Sequence, residues 1–196
     1  ETLRAVNSHP PTSNAQGTPN AQLTQNGQGT SKAQLPRVVR RNPGASLIDM
    51  GDGVLQIDFH SKMNALGGDA IEMIHAGVRE AATNFTALVV GNEAEHFSAG
   101  ANLMLLLLEA QEGNWDEVDL MVRSFQAATM ALKLSAVPVV VAPTGLALGG
   151  ACEVCLHADR VQAAAETSLG LVETGGGNQA DGGSKEMLLR AVDRAG

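Results

Sequence analysis

Apolar and polar positions along this chain follow two periods, and each change of period marks an element. Residues 46–59 read as two short strands joined at Asp52-Gly53, a dipeptide that favours the positive φ angles of a tight hairpin turn. From residue 69 to 82 the apolar residues Ile71, Met73, Ile74, Val78 and Ala81 recur at helical spacing. The compact apolar run at 87–90 suits a buried strand. Asp116 is placed to N-cap a second helix, whose stripe Val118, Met121, Val122, Phe125, Ala128 and Leu132 ends before Val137-Pro138. A buried strand at 139–142 follows, then a Gly-rich loop at 145–150 and a helix to about residue 158. A strand around 160–164 and a second Gly-rich stretch from 175 complete the pattern. Strands that alternate with helices predict an α/β fold, and no repeat of solenoid period is present.

The first 36 residues carry no such period. They are rich in Asn, Gln, Ser, Thr, Gly and Pro, so burial would not repay the entropy of ordering them. The basic residues Arg37, Arg40 and Arg41 come next. The expected organisation is a polar disordered tail or linker over residues 1–44 and one core domain over 45–196, since 196 residues leave little room for two.

Composition narrows the function. Aromatics make up only 3% of the chain and tyrosine is absent, so small aliphatic side chains must fill the core. A formal net charge of −8 opposes nucleic acid and anionic membrane as partners, because both are bound through fields of Lys and Arg. The apolar run at 103–108 is far too short to span a bilayer, and the opening residues do not read as a secretion signal, so the expected location is the cytoplasm. Cys152 and Cys155 lie within a helical-looking segment and read as packed thiols of a reducing compartment. Their C-x-x-C spacing lacks the further ligands a metal site needs. His60, His75 and His96 stand singly, as surface or strand-end residues. No P-loop order, G-x-G-x-x-G fingerprint or G-x-S-x-G elbow occurs.

Two turns carry the candidate chemistry. Ser98-Ala99-Gly100-Ala101-Asn102 and Leu148-Gly149-Gly150-Ala151-Cys152-Glu153 each stand where a strand or loop feeds a helix, a place that leaves backbone N–H groups without partners. If the turns approach one another, one N–H from each could hold a carbonyl oxygen that becomes an enolate, and small residues would let the ligand come close. Taken singly, either turn reads more simply as small residues that permit tight helix–strand packing, and it is the pair followed by Glu153 that points to chemistry. Glu153 would fall in the first turn of its helix, where the dipole favours a carboxylate, so capping is the plain alternative for it. Glu173 follows twenty residues later, after a strand and a turn, and could return to the same cleft. Adding water across a double bond conjugated to a thioester needs one proton taken from water, one delivered to carbon, and donors for the charge on the thioester oxygen. Two carboxylates and two amides meet those needs. His157, four residues after Glu153, could polarise it, but reads more simply as a solvent-facing residue at the helix end.

The segments His96-Phe97-Ser98-Ala99-Gly100-Ala101-Asn102-Leu103 and Gly145-Leu146-Ala147-Leu148-Gly149-Gly150-Ala151-Cys152-Glu153 resemble the two signature segments of the enoyl-CoA hydratase/isomerase (crotonase) family. Asn64-Ala65-Leu66 and the Glu153 to Glu173 spacing fit as well, and the likeness runs over about residues 45–190. The resemblance implies a crotonase-like β-β-α superhelix. It implies enoyl-CoA hydratase activity in fatty-acid β-oxidation, with Ala101 and Gly150 as the oxyanion-hole donors and Glu153 and Glu173 as the catalytic pair. Met63, Ala99, Ala101, Asn102, Leu103, Met104, Gly149 and Gly150 would line the substrate site. It further implies an acyl-CoA thioester substrate, no metal or cofactor beyond the coenzyme A of that substrate, and a homotrimer or hexamer. More narrowly, the chain resembles the hydratase module of bacterial proteins that also carry a 3-hydroxyacyl-CoA dehydrogenase domain. Lys62 and the Arg37, Arg40, Arg41 group are the basic residues that could meet the coenzyme A phosphates, with a solvated patch as the default.

The sequence departs from the family pattern at three places. Val172 stands where many hydratases have proline. The loop after Glu173 runs Thr174-Gly175-Gly176-Gly177-Asn178-Gln179-Ala180-Asp181-Gly182-Gly183, without the usual proline. The chain also stops soon after a helix expected from about residue 184, as if truncated before the C-terminal helices. The alternatives are a Δ3-Δ2-enoyl-CoA isomerase, which uses the same oxyanion hole with one carboxylate, and a non-catalytic acyl-CoA-binding or assembly module.

Overall fold

The structure, a computed structural model, describes residues 36–172. Its centre is a hairpin of β2 (Ala45–Gly51) and β3 (Val54–Phe59), closed by the two-residue turn expected from the sequence. Asp52 and Gly53 take φ values of 51° and 79°, the paired left-handed conformation that matches the natural twist of the strands. Thr86 pins this turn from outside: its N–H donates to the Gly53 carbonyl at 2.8 Å.

The sheet begins earlier than the sequence suggests. Strand β1 (Arg37–Arg41), inside the segment 1–44 expected to be a polar tail or linker, pairs antiparallel with β2. Its Val39 packs against the core, whereas Arg37 and Arg40 form exposed ion pairs with Asp49 and Glu72. Such exposed pairs add little stability, so the backbone ladder is what holds β1.

Beyond β3 the sheet continues in parallel through β4 (Ala87–Gly91), β5 (Val139–Ala142) and β7 (Arg160–Val161), giving the order β1-β2-β3-β4-β5-β7. Parallel strands need crossovers, and α1 (Gly68–Asn84) supplies the first. It buries Ala70, Met73, Ile74, Gly77 and Ala81. The expected residues Ile71 and Val78 lie at the flank of that face, partly buried. Gly77 lets the helix lie close, since a Cβ there would stand 2.8 Å from the Ile57 side chain.

The second crossover holds two helices. Only α3 (Trp115–Lys133) was legible in the sequence, and its N-cap is Asn114, with Asp116 one position inside the first turn. Its C-terminal half buries Ala128, Thr129 and Leu132, while Val122 is exposed. The preceding helix, α2 (Leu103–Gln111), has no buried residue among the described atoms.

A second, two-stranded parallel sheet joins β6 (Leu146–Leu148), within the stretch read as a Gly-rich loop, to β8 (Ser168–Gly170). Between them in sequence lies α4 (Gly150–Leu156), all but one of whose residues are buried. The core is built of Ala, Val, Leu, Ile and Met, with one aromatic contact, Phe59 on Phe97, edge to face at 5.9 Å between centroids. Among the described residues no helix is long and apolar enough to cross a membrane.

Candidate active site

The site grows from a short parallel pairing of residues 97–98 with the strand that leads into α4. The Phe97 N–H donates to Thr144 at 2.8 Å, Ser98 N–H to Leu146 at 3.1 Å, and Leu148 N–H back to Ser98 at 3.2 Å. The pairing forces the two turns against each other. Gly100 has φ +93°, and a Cβ on it would meet the Leu148 carbonyl oxygen at 2.5 Å and the Gly150 nitrogen at 3.3 Å. Only glycine accommodates both the dihedral and the approach. The buried Ser98 hydroxyl stabilises the turn by accepting the Gly100 N–H at 3.0 Å.

Leu66 orients the next residue. Its N–H donates to the Gly100 carbonyl at 2.8 Å and its carbonyl accepts the Asn102 N–H at 3.4 Å, so residues 100–102 run beside it as an extended segment. Successive residues of such a segment turn their amides to opposite edges, and the Ala101 N–H therefore faces away from Leu66. Its nitrogen lies close to Gly150: a Cβ on Gly150 would stand 3.4 Å from it. Gly150 is the first residue of α4, where an amide has no acceptor within its own helix. Among the described residues, no backbone carbonyl accepts either N–H. The two expected turns thus meet in a narrow notch that brings these two backbone nitrogens close together.

Glu153 lies one turn into α4, 8% exposed, with its N–H donating to Gly149 at 3.1 Å. The helix N-terminus favours a carboxylate at this place. His157, expected to face solvent, is buried instead, and its Nδ1 donates to the Glu153 main-chain carbonyl at 2.7 Å. The ring folds back onto the last turn of α4, which is itself buried. Cys152 and Cys155 are buried and unoxidised, and burial pushes the Cys155 thiol up to about 12, as suits a packing residue.

The remaining expected residues sit around the notch unevenly. Gly149 is buried, with φ +51°, and donates its N–H to Gly170 of β8 at 2.8 Å. Ala99, Asn102, Leu103 and Met104 are exposed. Met63 is exposed too, with φ +56°, and its carbonyl accepts the Ala99 N–H at 3.2 Å. Its neighbour Asn64, buried, donates to the His96 carbonyl at 3.0 Å and so holds this strained bend against the first turn. Glu173 lies outside the described residues. Sequence reasoning placed Phe125 in the helix core stripe, yet its ring reaches Gly150, a tertiary contact that no spacing encodes.

A separate cleft of about 540 Å³ lies over Ile48, Met50, Gln56, Asp58, His60 and Glu93. There burial raises the Asp58 carboxyl above its ordinary range, opposed by His60, whose ring is 2.9 Å from Ser46 Oγ. No group of three or more His, Cys, Asp or Glu among the described residues is arranged to hold a metal ion.

This α/β architecture is the crotonase-like fold. An enoyl-CoA hydratase from Polaromonas sp. JS666 superposes with a TM-score of 0.67 at 22% identity, over 74% of this chain and 58% of that one. An enoyl-CoA hydratase from Bacillus anthracis gives 0.66 at 26% identity, over 75% of this chain and 57% of its own. Residues 49–195 match the family described as enoyl-CoA hydratase/isomerase, and the chain belongs to that family. A Bacillus subtilis (strain 168) protein named a probable 3-hydroxyacyl-CoA dehydrogenase is 49% identical over 158 residues, 80% of this chain but 20% of that protein. The chain therefore spans about a fifth of that relative's length. A dehydrogenase-named relative that matches over a hydratase/isomerase segment accords with the resemblance to fusion proteins of the two kinds.

Proposed function

We propose that this chain is the hydratase module of a fatty-acid oxidation enzyme and adds water to trans-2-enoyl-CoA in the syn sense, giving 3-hydroxyacyl-CoA. The observation that supports the reading is the closeness of the Ala101 nitrogen to Gly150, at the start of the short helix that carries the buried Glu153. In this reading the thioester oxygen lies between the two N–H groups. Water attacks C3 while a carboxylate takes its proton, the C2–C3 π electrons move toward the carbonyl, and the resulting enolate is held by the two donors. A carboxyl group then protonates C2, and a proton passing from the first glutamate back to the second returns each to its starting state, so the net change is one water added. Glu153 and Glu173 share these two proton transfers. Each oxyanion donor in a dry site contributes roughly 3–4 kcal/mol to the transition state.

The exposed residues Met63, Ala99, Asn102, Leu103 and Met104 line the approach of the acyl-CoA in this account. The coenzyme A of the substrate is the sole cofactor moiety required, and the active assembly is a homotrimer or hexamer beside a dehydrogenase domain.

The test uses the intact protein with crotonyl-CoA, followed by loss of the enoyl-thioester absorbance. Wild-type protein should turn the substrate over, and Glu153→Gln and Glu173→Gln should each slow it by at least about 100-fold. Near wild-type rates in either variant would remove the assignment.

A further inference from the structure

Phe125 comes to the notch from α3. It shares a helix face with the buried residues Ala128, Thr129 and Leu132, at the 3- and 4-residue spacings that put side chains on one side. With that face fixed on the core, the half-buried ring extends to α4. Its Cζ and Cε2 lie 2.8 and 3.2 Å from the point where a Cβ on Gly150 would stand, and the Ala101 nitrogen lies 3.4 Å from the same point. The ring and the Ala101 donor therefore share one side of Gly150. The two nearest atoms are neighbouring ring carbons, so the tip of the ring is what approaches Gly150. The ring is apolar and carries no group that binds water firmly.

We propose that Phe125 is a specificity-determining residue: its ring closes the notch beside the bound carbonyl, so that the carbon next to that carbonyl must be unbranched. The inference rests on the reading that the notch holds an acyl thioester. In the proposed pose the oxygen lies about 2.9 Å from both amide nitrogens, and its own carbon and the carbon next to it lie toward this ring. A methyl branch there requires a pocket of carbon size. Even a Cβ on Gly150 would stand only 2.8 Å from the ring, well inside the carbon–carbon contact distance of about 3.5 Å. Removing the ring supplies the missing space.

The experiment compares kcat/KM for crotonyl-CoA and for its 2-methyl analogue in the intact protein, as wild type, Phe125→Ala and Phe125→Leu, each shown to be folded by circular dichroism and thermal melting. The ratio of branched to unbranched substrate should rise by about tenfold or more in Phe125→Ala, the scale on which one methylene is discriminated. A loss of stability alone would lower both values and leave their ratio unmoved. If Phe125→Ala does not fold, Phe125→Leu, apolar but without a ring, carries the same test. A ratio within about twofold of wild type in the folded variants overturns the proposal. Calorimetry with butyryl-CoA and 2-methylbutyryl-CoA separates this from failure of the hydratase reading. If wild type turns over neither substrate but binds the unbranched thioester preferentially, and Phe125→Ala loses that preference, the specificity role stands without the hydratase. Binding of neither thioester overturns both.

Discussion

The Ala101 nitrogen stands 3.4 Å from the point at which a side chain on Gly150 would begin, so the two turns that supply these residues share one notch. A methyl group at 150 would enter that space. Gly150→Ala should lower hydration by about 100-fold or more, the usual effect of losing one oxyanion donor. Its effect on stability should stay within roughly 2 kcal/mol, because the contact with Phe125 is partly offset by the better helix propensity of alanine. Paired kinetics and thermal melts of the same preparation check both values.

Gly100→Ala should behave differently. Here φ is +93° and the added methyl would meet a backbone carbonyl oxygen, that of Leu148, at 2.5 Å, which no side-chain rotation relieves. A loss of roughly 2–4 kcal/mol is expected in denaturant unfolding, together with the loss of activity. Equal stabilities for the two alanine variants would contradict the packing of the turns described above.

Cys155 makes a pH-dependent prediction. Burial raises its thiol from the model-peptide range to about 12 in the folded protein, the nearby Cys152 adding to the shift. The unfolded thiol ionises first, near its ordinary value of about 8.5. The stabilising contribution is therefore complete below that pH and is lost as pH rises toward 12, with a slope of up to roughly 1.4 kcal/mol per pH unit. Melting temperatures at pH 8 and pH 10.5 should converge in Cys155→Ala relative to wild type. An identical alkaline loss in both proteins would place the titration elsewhere.

Much of the scaffold could be read from local chemistry. Asp52-Gly53 specifies its turn because few other residue pairs adopt two successive left-handed conformations. The period of α1 exposes its buried face, and the run at 87–90 exposes β4. What escaped depends on tertiary partners. The residues of β1 read as a basic patch, since three of its five are arginine and only pairing with β2 makes them a strand. Helix α2 is apolar on every side from Leu103 to Leu108 and so has no period to detect. The two donor turns were legible as glycine-rich segments, but their meeting is fixed by Ser98 and Leu66, whose roles lie in backbone hydrogen bonds between residues far apart in sequence. For the same reason His157 and Phe125 were placed on the right elements without their contacts.

The central question is whether the Ala101 and Gly150 amides grip a thioester carbonyl. Difference infrared spectroscopy of a bound acyl-CoA labelled with ¹³C at that carbonyl reads the grip itself. A carbonyl band shifted to lower frequency than in water, with the shift reduced in Gly150→Ala, is the result expected. A band at its aqueous position in wild type, or a shift of the same size in the variant, would contradict the account.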